Sequence, residues 1–587
     1  MDVIDRRVGI LFGAFLLLLL IAILRAGYLT TVKAGSLRAA ANSQQVQTVA
    51  VPALRGEVTD RSGVVLAISE PGDAVYADPY LINRTYRHPQ VVADKLAPLL
   101  GLTSQSTLAL ITKPNTGYVQ LASDVSATVG ARIMALQVQG ISGINGIWEQ
   151  PTERRAYPLG TELGQVLGWV GNGNKGVDGL EYWFNKQLAG VSGVRRTVID
   201  AQGKAIAVQT PKQMVPGQNI RLTISSPLQS EVERVLAGVA AQYQPKGATA
   251  IVTDPQTDQI LAVANWPFVN PNHVPLSAFQ NAGGHTAVAE DQAVDLSYEP
   301  GSTFKAVTVA GALQDGKVTP TTPIQVPAYL DPYGLYKITD AEVHPNEVLQ
   351  VRQILKVSSN IGAVEIAKRM GAASFASWVS RFGFGRPTGV ALQGEAQGVV
   401  LPLSKYSGIS MYNLPFGQGE EVTPMQMIQA YDAIANGGIL RTPQLVESIG
   451  NHKVLAPKGK RIISPRVASE LRDMLRGVLA DGGTASGARI PGYDMAGKTG
   501  TAQVVARGKY SNNLFIASFI GMVPASNPKL VVVVVVDEPK YGIYGGSVAA
   551  PAFQKIVGWA VPHLGIDPCP PQHCPASARN PLMLSTP

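Results

Sequence analysis

The chain contains very little cysteine: of its 587 residues, only Cys569 and Cys574 are cysteines. Both lie in a proline-rich segment near the C-terminus, so the folded part is neither a disulfide-stapled scaffold nor a thiol enzyme. Three fates remain open for the pair: a small disulfide loop in an oxidising compartment, a weak metal site that includes His573, or two free thiols.

Other signatures are missing as well. The seven histidines are scattered without the paired spacing of a metalloenzyme, and neither a P-loop nor a dinucleotide-binding glycine pattern occurs. We therefore expect no metal and no nucleotide cofactor. The net charge of +8 is not gathered into a dense Lys/Arg run with interleaved aromatics, so nucleic-acid binding is not expected. A mildly basic surface suits an anionic membrane, a cell-wall polymer or ordinary solubility.

One long apolar run is present, the 17 uncharged residues from Val8 to Leu24. This is close to the shortest length that spans a bilayer, and Arg25 can extend its charged end to the interface. A cleaved signal peptide is the alternative, but no small-residue cleavage site follows promptly. The pattern favours an uncleaved signal anchor. The flanking charges do not decide its orientation.

The length of the chain requires at least two domains. We predict a cytoplasmic stub with an anchor over residues 1–29, a β-rich domain over 30–222, a larger domain over 223–565 and a disordered proline-rich tail over 566–587. Within the β-rich part, the turn residues at 60–63 predict a hairpin.

The larger domain shows strand patterns at both of its ends with helical patterns between them. This order predicts an α+β fold in which an antiparallel sheet is flanked by helices. A Ser-Pro pair predicts the start of a helix at Ser226. Further helices are predicted over Thr303–Leu313, Val348–Val357, Ile361–Met370, from Thr423 to Gly437 and from Ser464 to Gly482, and strands over Ala248–Val252, Ile260–Ala264, Met495–Val505, Phe515–Met522 and Leu530–Val536.

The first chemical motif is S-T-F-K at residues 302–305, directly after Glu-Pro-Gly. Lys305 lies one helical turn after Ser302, so its amine can reach the hydroxyl. A serine needs an adjacent base to attack an acyl carbon, and a lysine serves only when burial or a nearby cation lowers its pKa. The structural alternative is a helix-capping serine beside an exposed lysine, which an isolated match would favour.

Two further triplets follow in the chain. In S-S-N at 358–360, Ser358 is predicted to relay protons towards Lys305 and the leaving group, and Asn360 to donate to a substrate amide. Both residue types are also ordinary helix caps. In K-T-G at 498–500, the glycine weakens a strand unless a peptide docks closely along its edge.

Lys498 and Thr499 are accordingly predicted to hold a substrate carboxylate, and Gly500 to allow the substrate to approach. The backbone N–H groups of Ser302 and Thr501 are predicted to form an oxyanion hole. A second S-x-x-K match, from Ser526 to Lys529, contains a proline in a predicted turn, so its serine and lysine do not share a helix face.

The order and spacing of the three triplets are those of penicillin-recognising serine enzymes, and the chain resembles the class B penicillin-binding proteins. The resemblance extends over roughly residues 5–560. It includes R-G-E-V-T-D-R-S-G at 55–63, R-A-Y-P at 155–158, G-V-D-G-L-E at 176–181 and G-Q-G at 417–419. The Y-E-P-G-S-T-F-K context at 298–305 resembles the septal, cell-division or sporulation branch.

The resemblance implies a single-pass protein of the bacterial cytoplasmic membrane. A dimerisation-like pedestal and a penicillin-binding transpeptidase domain would lie outside the cytoplasm. It implies a peptidoglycan D,D-transpeptidase that crosslinks stem peptides through a Ser302 acyl-enzyme and is inhibited covalently by β-lactams. It also implies partners: a membrane glycosyltransferase of the SEDS family and divisome membrane proteins. Two different functions stay open: a D,D-carboxypeptidase or β-lactamase-type hydrolase, and a non-catalytic β-lactam sensor or division scaffold.

Overall fold

The computed structural model describes most of the chain. The described residues are 2–36, 46–138, 141–171, 173–199, 205–274, 291–334, 337–456, 458–506, 508–570 and 574.

The N-terminal helix is longer than the apolar run that predicts it. It extends over Asp2–Thr31, and its stretch Arg6–Thr31 has 26 residues and is not buried by other parts of the protein. About 20 residues suffice to cross a bilayer. Among the described residues it is the one helix that is long and apolar enough to span a membrane.

The chain forms two compact units. The smaller unit comprises Met1–Leu54, Pro71–Arg154 and Gly190–Gly217. It contains a three-stranded antiparallel sheet and a separate core around Val75, Leu96 and other apolar side chains. Its described helices and strands are Asp2–Thr31, Pro79–Thr85, Pro89–Leu100, Ser104–Ile111, Ala127–Met134, Val46–Val51, Val119–Ser126, Gln137–Val138, Ile141–Ser142, Gly193–Ile199 and Ala205–Lys212.

The larger unit comprises Arg55–Glu70, Arg155–Ala189 and Gln218–Pro587. The strands Val65–Ala77 and Ile147–Ala156 continue from one unit into the other. The sequence predicts four consecutive segments, whereas each compact unit combines stretches that are distant in the chain. The four-part division therefore stays a prediction. Residues 571–573 and 575–587, where disorder is predicted, lie outside the described residues apart from Cys574.

A five-stranded antiparallel sheet forms the centre of the larger unit. We number its strands in chain order: β1 is Gly247–Asp254, β2 is Gln259–Trp266, β3 is Ala496–Ala506, β4 is Lys509–Val523 and β5 is Leu530–Asp537. Their order across the sheet is β2-β1-β5-β4-β3, and every neighbouring pair is antiparallel. The predicted antiparallel sheet is therefore confirmed, with β3 at its edge.

The sequence of β5 explains the layers on both sides of the sheet. Six consecutive valines, Val531–Val536, are fully buried. Alternate side chains of a strand point to opposite faces, so a continuous apolar run requires cover on both. The odd-numbered valines pack in the core that contains helix Pro424–Ala435, whereas the even-numbered ones pack against Ser226–Tyr243 and Ala550–His563. The predicted flanking helices are thus confirmed.

Most predicted elements appear near the expected residues, including the 60–63 hairpin, but two differ. Glu347–Gln350 is a strand that pairs with Pro323–Val326, so the helix predicted from Val348 begins only at Val351. The helix that starts at Pro465 ends at Arg476 rather than near Gly482. Directly after Arg476, backbone N–H groups donate to the carbonyl three residues earlier, as from Leu479 to Arg476, instead of four residues earlier as in an α-helix.

The remaining elements of the larger unit are mostly short. They are helices Gly164–Leu167, Gly179–Trp183, Asn185–Leu188, Gln292–Asp295, Lys305–Gln314, Val351–Val357, Asn360–Met370, Ala372–Arg381, Ser410–Asn413, Pro465–Arg476 and Gly545–Val548; 3-10 turns Gly301–Phe304, Pro332–Gly334, Leu403–Lys405, Leu414–Phe416 and Ser486–Ala488; and strands Val58–Thr59, Val170–Gly171, Lys175–Gly176, Ile220–Leu222, Pro323–Val326, Glu347–Gln350, Ile439–Leu440, Val446–Ile449, His452–Lys453 and Lys460–Arg461.

Candidate active site

Ser302 lies in a 3-10 turn, Gly301–Phe304, that leads directly into the helix Lys305–Gln314. Gly301 has a φ of +54°, in the left-handed region that favours glycine, and a Cβ atom there would lie 2.9 Å from the carbonyl oxygen of Thr501. Its N–H donates to the carbonyl of Gly417 at 3.0 Å. The turn that carries Ser302 is therefore fixed between β3 and the Gly417 loop.

The amine of Lys305 is buried and lies at the centre of the site. Its Nζ atom is 2.9 Å from Ser302 Oγ, 2.5 Å from the Ser358 carbonyl oxygen, 2.7 Å from Asn360 Oδ1 and 3.2 Å from Ser358 Oγ. The carbonyl and amide oxygens only accept hydrogen bonds. A neutral amine can donate its two N–H groups to them, which leaves its lone pair for the Ser302 hydroxyl proton.

Electrostatics favour that neutral form. Burial lowers the pKa of Lys305 to about 7, and the Asp340 carboxylate opposes part of this effect by raising it. Burial disfavours the ammonium because the protein interior solvates charge poorly. A substantial fraction of Lys305 is therefore unprotonated near neutral pH, as a general base requires.

Ser358 lies where two helices meet. It terminates the helix Val351–Val357 with a φ of +62°, an uncommon conformation for serine, and Ser359 caps the helix Asn360–Met370 by accepting from the N–H of Gly362. Strained backbone of this kind is often found at functional sites. The break between the helices turns the Ser358 carbonyl and hydroxyl and the Asn360 amide towards Lys305.

Lys498 lies on β3 and is fully buried. Its Nζ atom donates to Ser358 Oγ at 2.8 Å, to the Thr499 carbonyl at 3.1 Å and to Thr499 Oγ1 at 3.3 Å. Burial, and then the like charge of Lys305, hold the pKa of Lys498 well below its ordinary value. The three sequence triplets thus meet around one hydroxyl, Ser358 Oγ.

Gly500 is required where β3 passes the nucleophile turn. A Cβ atom at this position would lie 2.2 Å from Ser518 Oγ and 3.0 Å from the Pro300 carbonyl oxygen. Gly500 and Thr501 therefore lie against the turn that carries Ser302. Because β3 is an edge strand among the described residues, alternate backbone N–H groups point away from the neighbouring strand β4.

Three nearby residues were not found from the sequence. Asp340 Oδ1 accepts the backbone N–H groups of Asn360 at 2.5 Å and Ile361 at 3.0 Å. Thr484 Oγ1 lies 2.8 Å from Thr499 Oγ1. Asp340 and Thr484 lie in irregular segments with no motif spacing, so no sequence signal identifies them.

The third is Glu299, whose Oε1 atom accepts from the N–H of Gly419 at 2.9 Å and from the hydroxyl of Tyr510 at 3.0 Å. Its position three residues before Ser302 is the only sequence signal that could have found it. It links the segment before the nucleophile to the Gly417–Gly419 loop and to β4.

The second S-x-x-K match does not form a site. Ser526 to Lys529 form the bend between β4 and β5, outside any helix, and the N–H of Ser526 donates to Asp494 Oδ2 at 3.1 Å. The prediction that a turn separates this serine from its lysine is confirmed.

Three sequence boxes, at 55–63, 155–158 and 176–181, converge on a buried ion-pair triad in the larger unit. Glu181 accepts through Oε2 from Arg55 Nε at 2.5 Å and through Oε1 from Arg155 Nε at 2.7 Å. Arg55 also donates to Asn185 Oδ1 at 2.8 Å. All three charged side chains are at most 1% exposed. The boxes therefore act here as a structural unit.

Cys569 and Cys574 form a disulfide, which is one of the three fates that the sequence leaves open. His573, the possible third metal ligand, lies outside the described residues. Within the part of the chain that the structure describes, no group of three or more His, Cys, Asp or Glu side chains could hold a metal ion.

Comparisons with known proteins agree with this geometry. The model of the penicillin binding protein transpeptidase domain matches residues 248–558, and that of the penicillin-binding protein dimerisation domain matches residues 50–222. All three triplets lie within the first match.

Two curated relatives align over nearly the whole chain. Stage V sporulation protein D of Bacillus subtilis is 31% identical over 95% of this chain and 85% of its own length. Peptidoglycan D,D-transpeptidase FtsI of Escherichia coli K12 is 30% identical over 96% of this chain and 93% of its own length. A solved structure of penicillin binding protein 3 from Mycobacterium tuberculosis, complexed with aztreonam, is 26% identical over 89% of this chain and 99% of its own, with a TM-score of 0.67.

Proposed function

The chain belongs to the class B penicillin-binding proteins, in their septal and sporulation branch, and from that premise we propose that it is a membrane-anchored peptidoglycan D,D-transpeptidase whose nucleophile is Ser302. One observation carries the assignment of the nucleophile. Lys305 Nζ lies 2.9 Å from Ser302 Oγ, while two acceptor-only oxygens occupy its N–H groups.

Acylation begins when Ser302 Oγ attacks the carbonyl carbon between the two D-Ala residues of a stem peptide. The Ser302 proton passes to the lone pair of Lys305, and the carbonyl oxygen becomes an oxyanion. The backbone N–H groups of Ser302 and Thr501 are proposed to stabilise that charge, a contribution worth about 10²–10³ in rate per donor. No metal or nucleotide is needed for this step.

Collapse of the oxyanion breaks the carbon–nitrogen bond, and the leaving D-Ala nitrogen needs a proton. Ser358 Oγ lies 3.2 Å from Lys305 Nζ and 2.8 Å from Lys498 Nζ, so it is placed to pass the proton from Lys305 towards the leaving group. The amine of a second stem peptide then attacks the ester. Lys305 takes up the amine proton, a new peptide bond forms, and the proton returns to Ser302.

The stem peptide is proposed to lie along the free edge of β3 as an additional strand. Lys498 and Thr499 would hold its terminal carboxylate, and Gly500 would leave room for its backbone. Asn360 Nδ2 donates one hydrogen to the Thr339 carbonyl at 3.0 Å. Its second hydrogen is proposed to bind a substrate amide.

β-Lactams are proposed to acylate Ser302 by the same steps. The Mycobacterium tuberculosis neighbour is described as a complex with aztreonam. The ring amide of a β-lactam would occupy the position of the scissile peptide bond, and the tethered leaving nitrogen would obstruct the second amine.

The proposed location is the bacterial cytoplasmic membrane, with the catalytic part outside the cytoplasm and the apolar helix as a single anchor. The Cys569–Cys574 disulfide supports an oxidising compartment, where such bonds persist. We also propose a SEDS-family glycosyltransferase and divisome membrane proteins as partners, and a division role rather than one in elongation. These proposals rest on the family alone.

Labelling with a fluorescent penicillin tests the proposed function. The detergent-purified wild type should bind one label per chain and release that label slowly, whereas Ser302→Ala should take no label. Full labelling of Ser302→Ala would overturn the assignment. Rapid release of the label would instead favour a β-lactamase-type hydrolase.

Incubation with lipid-linked substrate and a glycosyltransferase distinguishes a transpeptidase from a carboxypeptidase and from a sensor or scaffold. A transpeptidase releases D-Ala and forms crosslinked product. A carboxypeptidase releases D-Ala without crosslinking, and a sensor or scaffold does neither.

A further inference from the structure

Asp340 caps the helix that carries the second triplet, although it lies 20 residues before it. Its Oδ1 atom accepts from the backbone N–H groups of Asn360 and Ile361, at 2.5 Å and 3.0 Å. These are the first two N–H groups of the helix Asn360–Met370, and Ser359 accepts from the third, that of Gly362, at 2.8 Å. Helix N-terminal N–H groups have no partner within the helix. A separate chain segment therefore fixes the end of this helix that faces the site.

The same segment also orients the Asn360 side chain. Asn360 Nδ2 donates to the carbonyl of Thr339 at 3.0 Å, and Asn360 Oδ1 accepts from Lys305 Nζ at 2.7 Å. Because nitrogen and oxygen of the amide lie in one plane, holding Nδ2 decides where Oδ1 points. Thr339 and Asp340 thus hold both the backbone and the amide of the residue that contacts the base.

The Asp340 carboxylate contacts one titratable residue, His344, and acts electrostatically on another, Lys305. His344 Nε2 lies 3.2 Å from Asp340 Oδ2 without completing a hydrogen bond, and His344 Nδ1 lies 3.3 Å from Glu347 Oε1. Lys305 lies at the start of the helix Lys305–Gln314, and the Asp340 carboxylate raises the pKa of its amine. The carboxylate therefore contacts an imidazole through Oδ2 and acts electrostatically on the base.

We propose that Asp340 is a positioning residue for the acylation reaction, one that holds Asn360 against Lys305 and places a negative charge near that amine. The inference rests on the proposed function, because Lys305 must be the base for Ser302. Asp340 acts through Asn360 and does not touch the substrate. It has two separable effects: its hydrogen bonds fix geometry, and its charge sets how readily Lys305 gives up a proton.

The sign of the charge effect is fixed. Burial lowers the pKa of Lys305, and the Asp340 carboxylate raises it. Removing the carboxylate charge leaves burial less opposed, so the ammonium becomes less stable and loses its proton at lower pH. Acylation needs the neutral amine. The acid limb of the acylation rate should therefore move to lower pH when the charge is removed.

The experiment measures the second-order rate of labelling by a fluorescent penicillin between pH 5 and pH 9. Asp340→Asn keeps an oxygen that can accept both N–H groups and removes the charge, so its acid limb should move about half a pH unit to one pH unit lower. Asp340→Ala removes both contributions, so its acid limb should also move lower and its plateau rate should be at least about tenfold below that of wild type. Glu347→Gln, on the same segment but without contact to Asn360, is the matched control and should behave as wild type.

A purely structural role for Asp340 predicts a different result. It would lower the folded fraction and reduce labelling equally at all pH values, without moving the limb, so melting temperatures are measured alongside. If Asp340→Asn had the pH profile of wild type and Asp340→Ala were labelled at the wild-type rate, this inference would be overturned and the proposed function would still stand. Absence of labelling in the wild type would overturn the proposed function and this inference together.

Discussion

Lys305 and Lys498 place their amine nitrogens around the same oxygen, Ser358 Oγ, at 3.2 Å and 2.8 Å. Two ammonium groups so close together in a buried site would repel each other strongly. Burial lowers the pKa of both, and each lysine comes from a different part of the chain. Burial therefore accounts for a lysine base at neutral pH, and the shared contact places Ser358 where it can exchange protons with both amines.

The first prediction concerns pH. Because the pKa of Lys305 is about 7 and only its neutral amine can accept the Ser302 proton, acylation should be slow in acid and reach a plateau above pH 7. Below pH 7, the rate should fall about tenfold for each pH unit. The measurement is the rate of penicillin labelling in buffers of constant ionic strength. A rate that stays level down to pH 5 would exclude Lys305 as the titrating base.

The second prediction concerns the Ser358 hydroxyl. Ser358→Ala should slow acylation by about 10²–10³, because proton transfer to the leaving nitrogen loses its relay. Ser358→Gly removes the same hydroxyl but tolerates the φ of +62° more readily. Equal rates in the two variants would assign the loss to the hydroxyl. Recovery in the glycine variant alone would instead point to backbone strain.

The third prediction concerns close packing at β3. Gly500→Ala should reduce labelling by about 10² or more, because the new methyl group meets Ser518 Oγ and the Pro300 carbonyl and pushes the strand away from the nucleophile turn. Ser518→Ala in the same chain should restore part of the rate by removing one of these contacts.

A helical glycine provides the control for that substitution. Gly238 lies exposed in the helix Ser226–Tyr243 with open space around its Cα. Gly238→Ala should leave labelling unchanged and stabilise the fold by about 0.5–1 kcal/mol. Unaltered labelling in Gly500→Ala would show that the strand is not tightly held against the turn.

The fourth prediction concerns the Arg55–Glu181–Arg155 triad. Glu181→Leu alone should lower the free energy of unfolding by about 3–5 kcal/mol, because it leaves two buried arginines without their shared carboxylate. Replacing the whole triad by Met, Leu and Met should cost much less. Urea unfolding of the detergent-solubilised chain measures both.

An exposed ion pair serves as the comparison. Arg466 and Glu470 are 2.9 Å apart, and the arginine side chain is 75% exposed. Removing it by Arg466→Ala should change stability by no more than about 1 kcal/mol. A triple variant as unstable as Glu181→Leu would mean that the residues act through packing rather than through paired charge.

Much of the fold could be predicted from local pattern. The six valines of β5, the Pro and Gly residues at helix ends and the apolar N-terminal run each depend on neighbours in the chain, and the structure places the elements close to their predicted bounds. The two differences arise from tertiary contacts. Glu347–Gln350 becomes a strand because Pro323–Val326 pairs with it, which no local pattern reveals.

The residue types and the order of the three triplets could be read from the chain alone, and they indicate the family. In the first triplet the pattern is local, because the nucleophile turn needs a glycine before Ser302 and a lysine one turn after it. The protonation state of the lysines could not. Burial lowers their pKa, and both amines contact Ser358, which is 53 residues from Lys305 and 140 residues from Lys498 along the chain.

Three relationships emerged only once the chain was folded: Lys498 and Lys305 meet at Ser358, Asp340 holds Asn360, and three separate boxes form one ion-pair triad. All three have the same physical cause. Hydrogen bonds and charges act over a few ångströms in space, and spacing along the chain specifies such contacts only within a single helix or hairpin.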